Sequence, residues 1–340
     1  MLKHKLKIFL FAFILSLIIV SYTEKLQMTV LMPIRDFIVV PSVKIENIKK
    51  VQSDNILQKT SKDGLYINPY TTASSFRSIS HIILKNGCVN IDEKNKNKLI
   101  KYAKYFYESA EKRMYEDAEF VVWPYPIKFS YGLEPGWISG LAQGEVAVML
   151  MAASKCTNDE KLILNFKDYS DKAILSLTIL VKNGGVLVKK DGNNWYEEYA
   201  QKGVESPLVL NGHNYVLFAL EILKKHNEKA TVLFDSGLDA LRKSLGQYDI
   251  ITWSYYDSVG YPANQKYQRT HARQMKKLYK LTNDSFFYNY YNKFTNQLLF
   301  PFSSIQRFII KPSRFLGGLI IVDTVIFYFL LLILWREDEN

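Results

Sequence analysis

The sequence predicts a mainly α-helical fold, in which antiparallel helix pairs form a partial or full α/α toroid with inserted β-hairpins. Apolar residues recur at spacings of three and four through most of the second half of the chain, and short polar loops separate these stretches. Two strand-like runs around a turn dipeptide interrupt them. Long apolar runs at both ends of the chain add an N-terminal and a C-terminal transmembrane helix.

The first 23 residues have the pattern of an uncleaved signal anchor. Lys3, Lys5 and Lys7 precede an apolar run over residues 8–20, and no convincing small-residue cleavage site follows it. Because positively charged flanks tend to stay in the cytoplasm, we expect a cytoplasmic N-terminus. The domain that follows is then extracytoplasmic or lumenal.

A second transmembrane helix is predicted over residues 315–335, a stretch long enough to cross a bilayer. Asp323 interrupts it and is costly there unless it is paired or protonated. This helix returns the C-terminus to the cytoplasm. Arg307, Lys311 and Arg314 then lie on the outer side, which conflicts with the positive-inside rule. The orientation is taken from the first helix, because it usually dominates.

Between the anchors, the pattern divides into a lead-in over residues 24–95 and a helical domain over residues 96–300. The lead-in is mostly extended, with short strands predicted at 37–40 and 81–84. A helical pattern then runs from residue 92 to residue 115.

The helical domain continues with a series of amphipathic segments. Strand-like runs on both sides of Asp191-Gly192 predict a hairpin, and residues 250–256 also have a strand-like pattern. The predicted helices cover residues 140–155, 159–181, 209–227, 230–246, 263–281 and 284–298.

Composition limits the partners and cofactors. The 44 Lys and Arg residues exceed the 33 Asp and Glu residues and give a net charge of +11, which favours a polyanion: nucleic acid, anionic lipid or an acidic polysaccharide. The basic residues are scattered without a nucleic-acid-binding module, so we expect no nucleic acid partner. Cys88 and Cys156 are expected to be two buried thiols, and no metal is predicted because Cys and His are not clustered.

The first motif, residues 134–144, combines a helix start with small residues. Ser139 is a plausible N-cap, and Gly140 and Gly144 permit close approach of a backbone or a ligand. Trp137 and Gln143 are then available to a sugar. The structural alternative is a capped helix that packs tightly at its start.

The second motif is a predicted strand that ends in two acids. Alternation places Trp195, Glu197 and Tyr199 on one side and Glu198 on the other. A twist or bulge at the strand end would bring Glu198 and Tyr199 to the entrance of one site. The alternative is an edge strand with solvated acids.

Two further motifs lie at helix starts. Asn211 is a plausible N-cap, and His213 falls in the first turn, where a structural role is the commoner one. Tyr267 and His271 are four residues apart and share a helix face, with Arg269 two residues from each. The alternative is an aromatic face packed into the core.

Together these segments resemble the C-terminal catalytic region of the glucuronyl 5-epimerases, which convert D-glucuronate to L-iduronate within heparan-type chains. The resemblance covers about residues 123–298 and keeps the order and approximate spacing of five short segments. These are Ser-Gly-Leu-Ala-Gln-Gly (139–144), Trp-Tyr-Glu-Glu-Tyr (195–199), Leu-Asn-Gly (210–212), Tyr-Asp (256–257) and the Tyr/Thr/His trio at 267, 270 and 271.

The resemblance implies catalysis by Glu198, Tyr199, Tyr256 and Tyr267, with Tyr255 as an alternative to Tyr256. It also implies a uronate-containing acidic polysaccharide as substrate, no cofactor, and a homodimer. No Gly-rich loop for a nucleotide is present. The expected substrate-binding residues are Trp137, Gln143, Trp195, Asn211, Lys266, Arg269 and His271.

This chemistry needs an acid/base on each face of the sugar, because C5 loses a proton on one face and regains one on the other. Cationic or hydrogen-bonding groups must hold the carboxylate. A tyrosine base, with an ordinary pKa of about 10, needs nearby positive charge. Lys266, Arg269 and Arg273 are the candidates for this charge.

Three other functions remain open. A polysaccharide lyase shares the first step, and a non-catalytic membrane protein could bind acidic glycans. A glycosidase would use two acids, for which Glu197, Glu198 and Asp257 are available. The chain departs from the family pattern in its short region before residue 120, in Ala200 where Pro is frequent, and in its second anchor.

Overall fold

The computed structural model describes residues 2–39, 59–61 and 64–337. The chain divides into two compact units. The central unit is Lys44–Gly246, and the terminal unit combines Met1–Val43 with Gln247–Asn340.

The central unit is built from helices with antiparallel two-stranded hairpins between them. Several helices begin at Asn or Asp, whose side chains accept a main-chain N–H of the first turn. Its elements are β1 (Lys59–Ser61), β2 (Gly64–Tyr66), α2 (Pro69–Ser74), α3 (Arg77–Asn86), α4 (Glu93–Ser109), β3 (Glu111–Tyr115), β4 (Ala118–Val122), α5 (Gly140–Ser154), α6 (Glu160–Leu175), β5 (Leu187–Lys190), β6 (Asn193–Tyr196), α7 (Leu210–Leu223) and α8 (Glu228–Ser244).

Helix α5 forms the core of the central unit. Every residue from Gly140 to Ser154 is buried, because α2, α3, α4, α6 and α7 all pack against it. A Cβ added at Gly144 would lie 2.9 Å from the Cβ of Ala219, so this glycine sets the short distance between α5 and α7.

The predicted helical content and the central hairpin are confirmed. Each of the six helices predicted after residue 140 is present, with ends shifted by a few residues. Strands β5 and β6 pair across Asp191-Gly192, where both residues have positive φ angles of 50° and 78°, as a tight hairpin turn requires. The chain is mainly helical; the toroid stays a prediction.

Several local predictions were wrong. Residues 37–39 continue a helix, with residue 40 outside the described residues, and residues 81–84 lie in α3. Apolar runs this short do not distinguish a strand from a helix. The predicted helix through residue 115 ends at Ser109, and the β3–β4 hairpin follows it. Residues 250–256 form isolated bridges only.

The two cysteines form a disulfide, which corrects the prediction of two buried thiols. Cys88 follows α3 and Cys156 follows α5, and their Cα atoms are 5.3 Å apart across a sequence separation of 68. Sequence spacing does not reveal such proximity, because it depends on how α3 packs against α5.

The terminal unit consists of helices from both ends of the chain. A C-terminal helix pairs with the N-terminal one along their apolar sides, and a buried cluster joins them. The elements are α1 (Leu2–Val39), α9 (Gln265–Thr282), α10 (Ser285–Gln297), α11 (Ser303–Ile310) and α12 (Arg314–Glu337). The buried cluster comprises Leu17, Val20, Leu316, Leu319 and Ile320.

Two stretches are long and apolar enough to cross a membrane, Lys3–Leu31 in α1 and Arg314–Trp335 in α12. Asp323 within the second accepts a hydrogen bond of 2.7 Å from the Gln27 side chain. Asp323 therefore has a hydrogen-bond partner, which an acid in an apolar helix needs.

Residues 21–25 of α1 are joined to the rest of the terminal unit by buried polar contacts. The Gln265 amide donates to the main-chain oxygens of Ser21 and Tyr22 and accepts from the main-chain N–H of Lys25. Arg307 forms a buried ion pair of 2.7 Å with Glu24. Because buried polar groups are costly when unpaired, these contacts fix α1 on α9 and α11.

Removing the disulfide should destabilise the protein. For a loop of this length we expect Cys88→Ser/Cys156→Ser to lower the free energy of unfolding by about 2–4 kcal/mol, because the unfolded chain gains freedom. Urea unfolding of the full chain in detergent measures this. Reductant should lower the midpoint of the wild type and leave the double variant unchanged; equal midpoints for both proteins would contradict the role of the disulfide.

Candidate active site

A buried carboxylate shapes the chain after β6. Glu197 is fully buried, and its two oxygens accept main-chain N–H groups of Tyr199 at 3.0 Å and of Leu208 at 2.7 Å. Burial raises the pKa of Glu197 to about 7, while the main-chain donors oppose the rise. Strand pairing ends at Tyr196, and a bend follows at residues 198–199.

Main-chain hydrogen bonds hold this bend from both sides. Gly140 donates to the Glu197 oxygen at 2.9 Å, and Glu197 donates to Val186 at 2.8 Å. Ala200 and Ile138 exchange two hydrogen bonds of 2.9 Å. A Cβ at Gly140 would lie 2.7 Å from the Glu197 oxygen, so glycine is needed at the start of α5.

His213 packs against β6 and is hydrogen-bonded to it. Its Nδ1 accepts the N–H of Tyr196 at 3.0 Å, and its Nε2 lies 2.9 Å from the oxygen of Gly237, so Nε2 carries the proton. Burial lowers the pKa of His213 to about 4. The neutral ring stacks on Trp195 with centroids 4.1 Å apart, which gives His213 a structural role.

Glu198 and Tyr199 face a common side, as the bend allows. The Glu198 carboxyl is hydrogen-bonded to the Tyr199 side chain, and its Oε2 accepts from Asn211 at 3.4 Å. Burial, with a smaller contribution from Glu197, raises the pKa of Glu198 to about 8. At neutral pH this carboxyl is largely protonated and able to donate a proton.

Gly212 makes room for the Glu198 side chain. A Cβ at this position would lie 2.5 Å from Oε2 and 2.6 Å from the Cβ of Glu198. The glycine of the Leu-Asn-Gly motif therefore permits the first turn of α7 to approach the acid.

Aromatic rings form a wall beside Tyr199. The Tyr199 centroid lies 5.1 Å from Phe129, 5.5 Å from Tyr131 and 5.7 Å from Trp137. Trp137 in turn stacks on Tyr125 at 3.9 Å with an interplanar angle of 7°. Tyr131 has a φ of 67°, a conformation that is costly for a bulky residue and frequent at functional sites.

An ion pair with a partly exposed arginine lies in the same unit. The Arg77 Nε donates to buried Glu145 at 2.7 Å, and its Nη2 donates to the Tyr70 hydroxyl at 3.5 Å. Tyr70 connects to the aromatic wall because its N–H donates to the Tyr125 hydroxyl at 3.4 Å. Sequence analysis missed Arg77 and Tyr70, since both lie in the region interpreted as a lead-in.

The terminal unit contains the other predicted catalytic residues. Tyr256 and Tyr267 have ring centroids 4.6 Å apart. The Lys266 ammonium lies 5.5 Å from the Tyr267 ring and supplies positive charge beside it. Asp257 is fully buried and accepts the N–H groups of Val259 and Tyr261, so it stabilises a turn.

Comparison with known proteins identifies the family. The family model of the D-glucuronyl C5-epimerase C-terminus matches residues 116–296, more than half of the chain. The chain belongs to this family. Among the described residues, no group of three or more His, Cys, Asp or Glu is placed to hold a metal ion.

Two relatives define how far the C5-epimerase similarity extends. An uncharacterized protein of Methanocaldococcus jannaschii is 30% identical over 250 residues, which cover 68% of this chain and 77% of that protein. A D-glucuronyl C5-epimerase of Caenorhabditis elegans is 30% identical over 171 residues, which cover 45% of this chain and 27% of the worm enzyme. The chain thus aligns with about a quarter of the worm enzyme.

The C5-epimerase motifs include residues whose structural role differs from the predicted one. Trp195 and Gln143 are fully buried, and the Gln143 amide donates to Val121 and Ser176, so neither side chain is available to a substrate. His271 is also fully buried beside Ser254, and burial lowers its pKa to about 3. These three predictions of substrate contact are corrected to structural support.

The remaining predicted binding residues divide into two groups. Trp137 and Asn211 adjoin Tyr199 and Glu198; both are buried, and their contact with a substrate stays a prediction. Lys266 adjoins Tyr267. Arg269 is two residues from Tyr267, which is about 200° around a helix, and it lines a pocket with α1 instead.

Replacing Gly212 should disturb the acid directly. Because its Cβ overlaps Glu198, we expect Gly212→Ala to lower the free energy of unfolding by about 1–3 kcal/mol and to displace the carboxyl. Gly318→Ala is the matched control, since nothing lies within 4 Å of that position. Denaturant unfolding compares them; equal effects of the two changes would contradict the tight contact.

Glu198 should give the protein a pH-dependent stability. Its pKa is about 8 in the native state against an ordinary value of 4.5, so between these pH values the native state binds more protons than the unfolded state. The free energy of unfolding should therefore fall as pH rises through this window. Thermal unfolding across pH 4–9 should show a shallower fall for Glu198→Gln than for the wild type, and exposed Glu205→Gln should follow the wild type. Identical curves for all three would contradict the raised pKa.

Proposed function

We propose that the protein is a polysaccharide uronate 5-epimerase that converts D-glucuronate to L-iduronate within a heparosan- or heparan-like polymer. The observation that supports this most is the buried Glu198 carboxyl hydrogen-bonded to Tyr199, within the region that the C5-epimerase family model matches. The net charge of +11 suits an acidic polymer.

The proposed reaction moves one proton off C5 and another onto it. A base removes the C5 proton, and the electron pair left behind delocalises into the uronate carboxylate. An acid then donates a proton to the opposite face of C5, which inverts the centre. Glu198 and Tyr199 form one acid/base pair, in which the protonated carboxyl replenishes the phenol. Tyr256 and Tyr267 stay predicted catalytic residues.

Binding of the sugar is proposed to use aromatic and cationic groups of the central unit. Phe129 is 43% exposed and presents its ring beside Tyr199, where a sugar face would stack. Arg77, with 27% of its side chain exposed, is the proposed contact for the uronate carboxylate.

We also propose that the protein is anchored in a membrane with the C5-epimerase domain extracytoplasmic or lumenal. Two apolar helices and the basic N-terminus support this placement. The Cys88–Cys156 disulfide supports it independently, since disulfides persist mainly in oxidising compartments. A homodimer is proposed from the family resemblance alone.

Hydrogen exchange at C5 tests the reaction. The full chain in detergent is incubated with heparosan in deuterated water, and NMR follows deuterium at C5 together with new iduronate signals. We expect Tyr199→Phe and Glu198→Gln each to lower the rate at least about 100-fold, as loss of a general acid or base does. Tyr288→Phe, the same change at an exposed tyrosine of α10, should retain the wild-type rate.

Other outcomes identify other functions. Absorbance from a new C4–C5 double bond would indicate a lyase, which expels the C4 oxygen instead of returning the proton. Polymer binding without any exchange, equally strong in Tyr199→Phe, would indicate a glycan-binding protein and contradict the epimerase.

A further inference from the structure

The terminal unit contains a pocket of about 360 Å³ between α1 and the first three turns of α9. The α9 residues of the pocket are spaced four apart and therefore share one face of the helix. Tyr267, which packs on Tyr256, is two residues from Arg269 and lies on the opposite face. The pocket is lined by Tyr22, Lys25, Leu26, Thr29, Gln265, Arg269 and Arg273.

The pocket is strongly cationic. Lys25, Arg269 and Arg273 line it, and none of its lining residues is acidic. The Nε of Arg269 is buried and has no hydrogen-bond partner among the residues that the structure describes. A buried guanidinium nitrogen without an acceptor is costly, so an anion in the pocket would lower its energy.

The pocket lies beside the last turns of the apolar stretch Lys3–Leu31 of α1. The apolar run stops at Val20, and Lys25 follows little more than one helical turn later. The inserted Gln265 amide holds this part of α1 against α9. Tyr22 and Leu26 are exposed at the rim, and tyrosine is frequent at membrane interfaces.

We propose that this pocket binds a phosphate ester at the membrane surface. Three cations that line one pocket suit a phosphate better than a single carboxylate, because guanidinium groups bind its several oxygens through paired N–H donors. Basic pockets beside membrane helices bind anionic head groups in this way. The phosphate belongs either to a bilayer phospholipid or to a lipid that carries the polysaccharide.

This proposal changes the role of Arg269. Its predicted contact with the substrate is replaced by the proposed contact with a phosphate, since Arg269 lines this pocket. The pocket would hold the protein at a defined height on the bilayer surface. The proposal does not depend on the epimerase reaction, since its test measures binding alone.

Lipid binding to the purified full chain in detergent tests the site. Native mass spectrometry and a fluorescence titration would measure dioleoylphosphatidylglycerol, with polyprenyl phosphate, inorganic phosphate and oleate as competitors. We expect one tightly bound phospholipid, and a Kd at least about tenfold weaker in Arg269→Gln/Arg273→Gln, the loss expected when charge-assisted hydrogen bonds are removed. Lys167→Gln/Lys280→Gln removes the same charge at exposed positions and should leave the Kd within about twofold.

The competitors distinguish the sources of phosphate. Stronger competition by polyprenyl phosphate assigns the site to a lipid carrier, and weaker competition assigns it to bilayer phospholipid. Competition by inorganic phosphate as strong as that by either lipid assigns it to free phosphate. Lys25→Gln, at an exposed side chain, gives a second variant if the double change prevents folding, and it should weaken binding several-fold. Equal Kd values for all variants, or oleate competing as well as every phosphate, would overturn the proposal.

Discussion

The buried Glu197 carboxylate is the interaction on which the candidate site depends. A carboxylate without water is costly, and here two main-chain N–H groups from opposite ends of a ten-residue segment offset that cost. These bonds bend the chain immediately after β6. In a regular strand Glu198 and Tyr199 would face opposite sides; the bend places them in hydrogen-bond contact.

The glycines of the family motifs serve this bend rather than the substrate. Gly140 and Gly212 bring the starts of α5 and α7 against the Glu197 main chain and the Glu198 side chain, at distances that no Cβ tolerates. Close packing on both sides desolvates Glu198, and this desolvation raises its pKa. The close packing that the two glycines permit is therefore also what raises the pKa of Glu198.

Sequence analysis predicted the helices after residue 140 and the hairpin around Asp191-Gly192, because periodicity and turn chemistry are local properties. It also selected Glu198, Tyr199 and Asn211, which the structure brings together. It assigned Trp195 to the substrate, because a motif shows which residues recur and not which way they face. Arg77 was missed for a different reason: its proximity to Tyr70 and Glu145 depends on tertiary packing of a region without recognisable motifs.

The Gln265 side chain is hydrogen-bonded to three main-chain groups of α1. These bonds limit how such a protein can change during evolution. A descendant that lost α1 through Leu31 would leave this amide without its three main-chain partners and would leave Arg307 without Glu24. Each loss would leave a buried polar group without its hydrogen-bond partner, which is costly. Helix α1 up to Leu31 is thus an internal part of the fold, and a shortened form without it would need substitutions at positions 265 and 307.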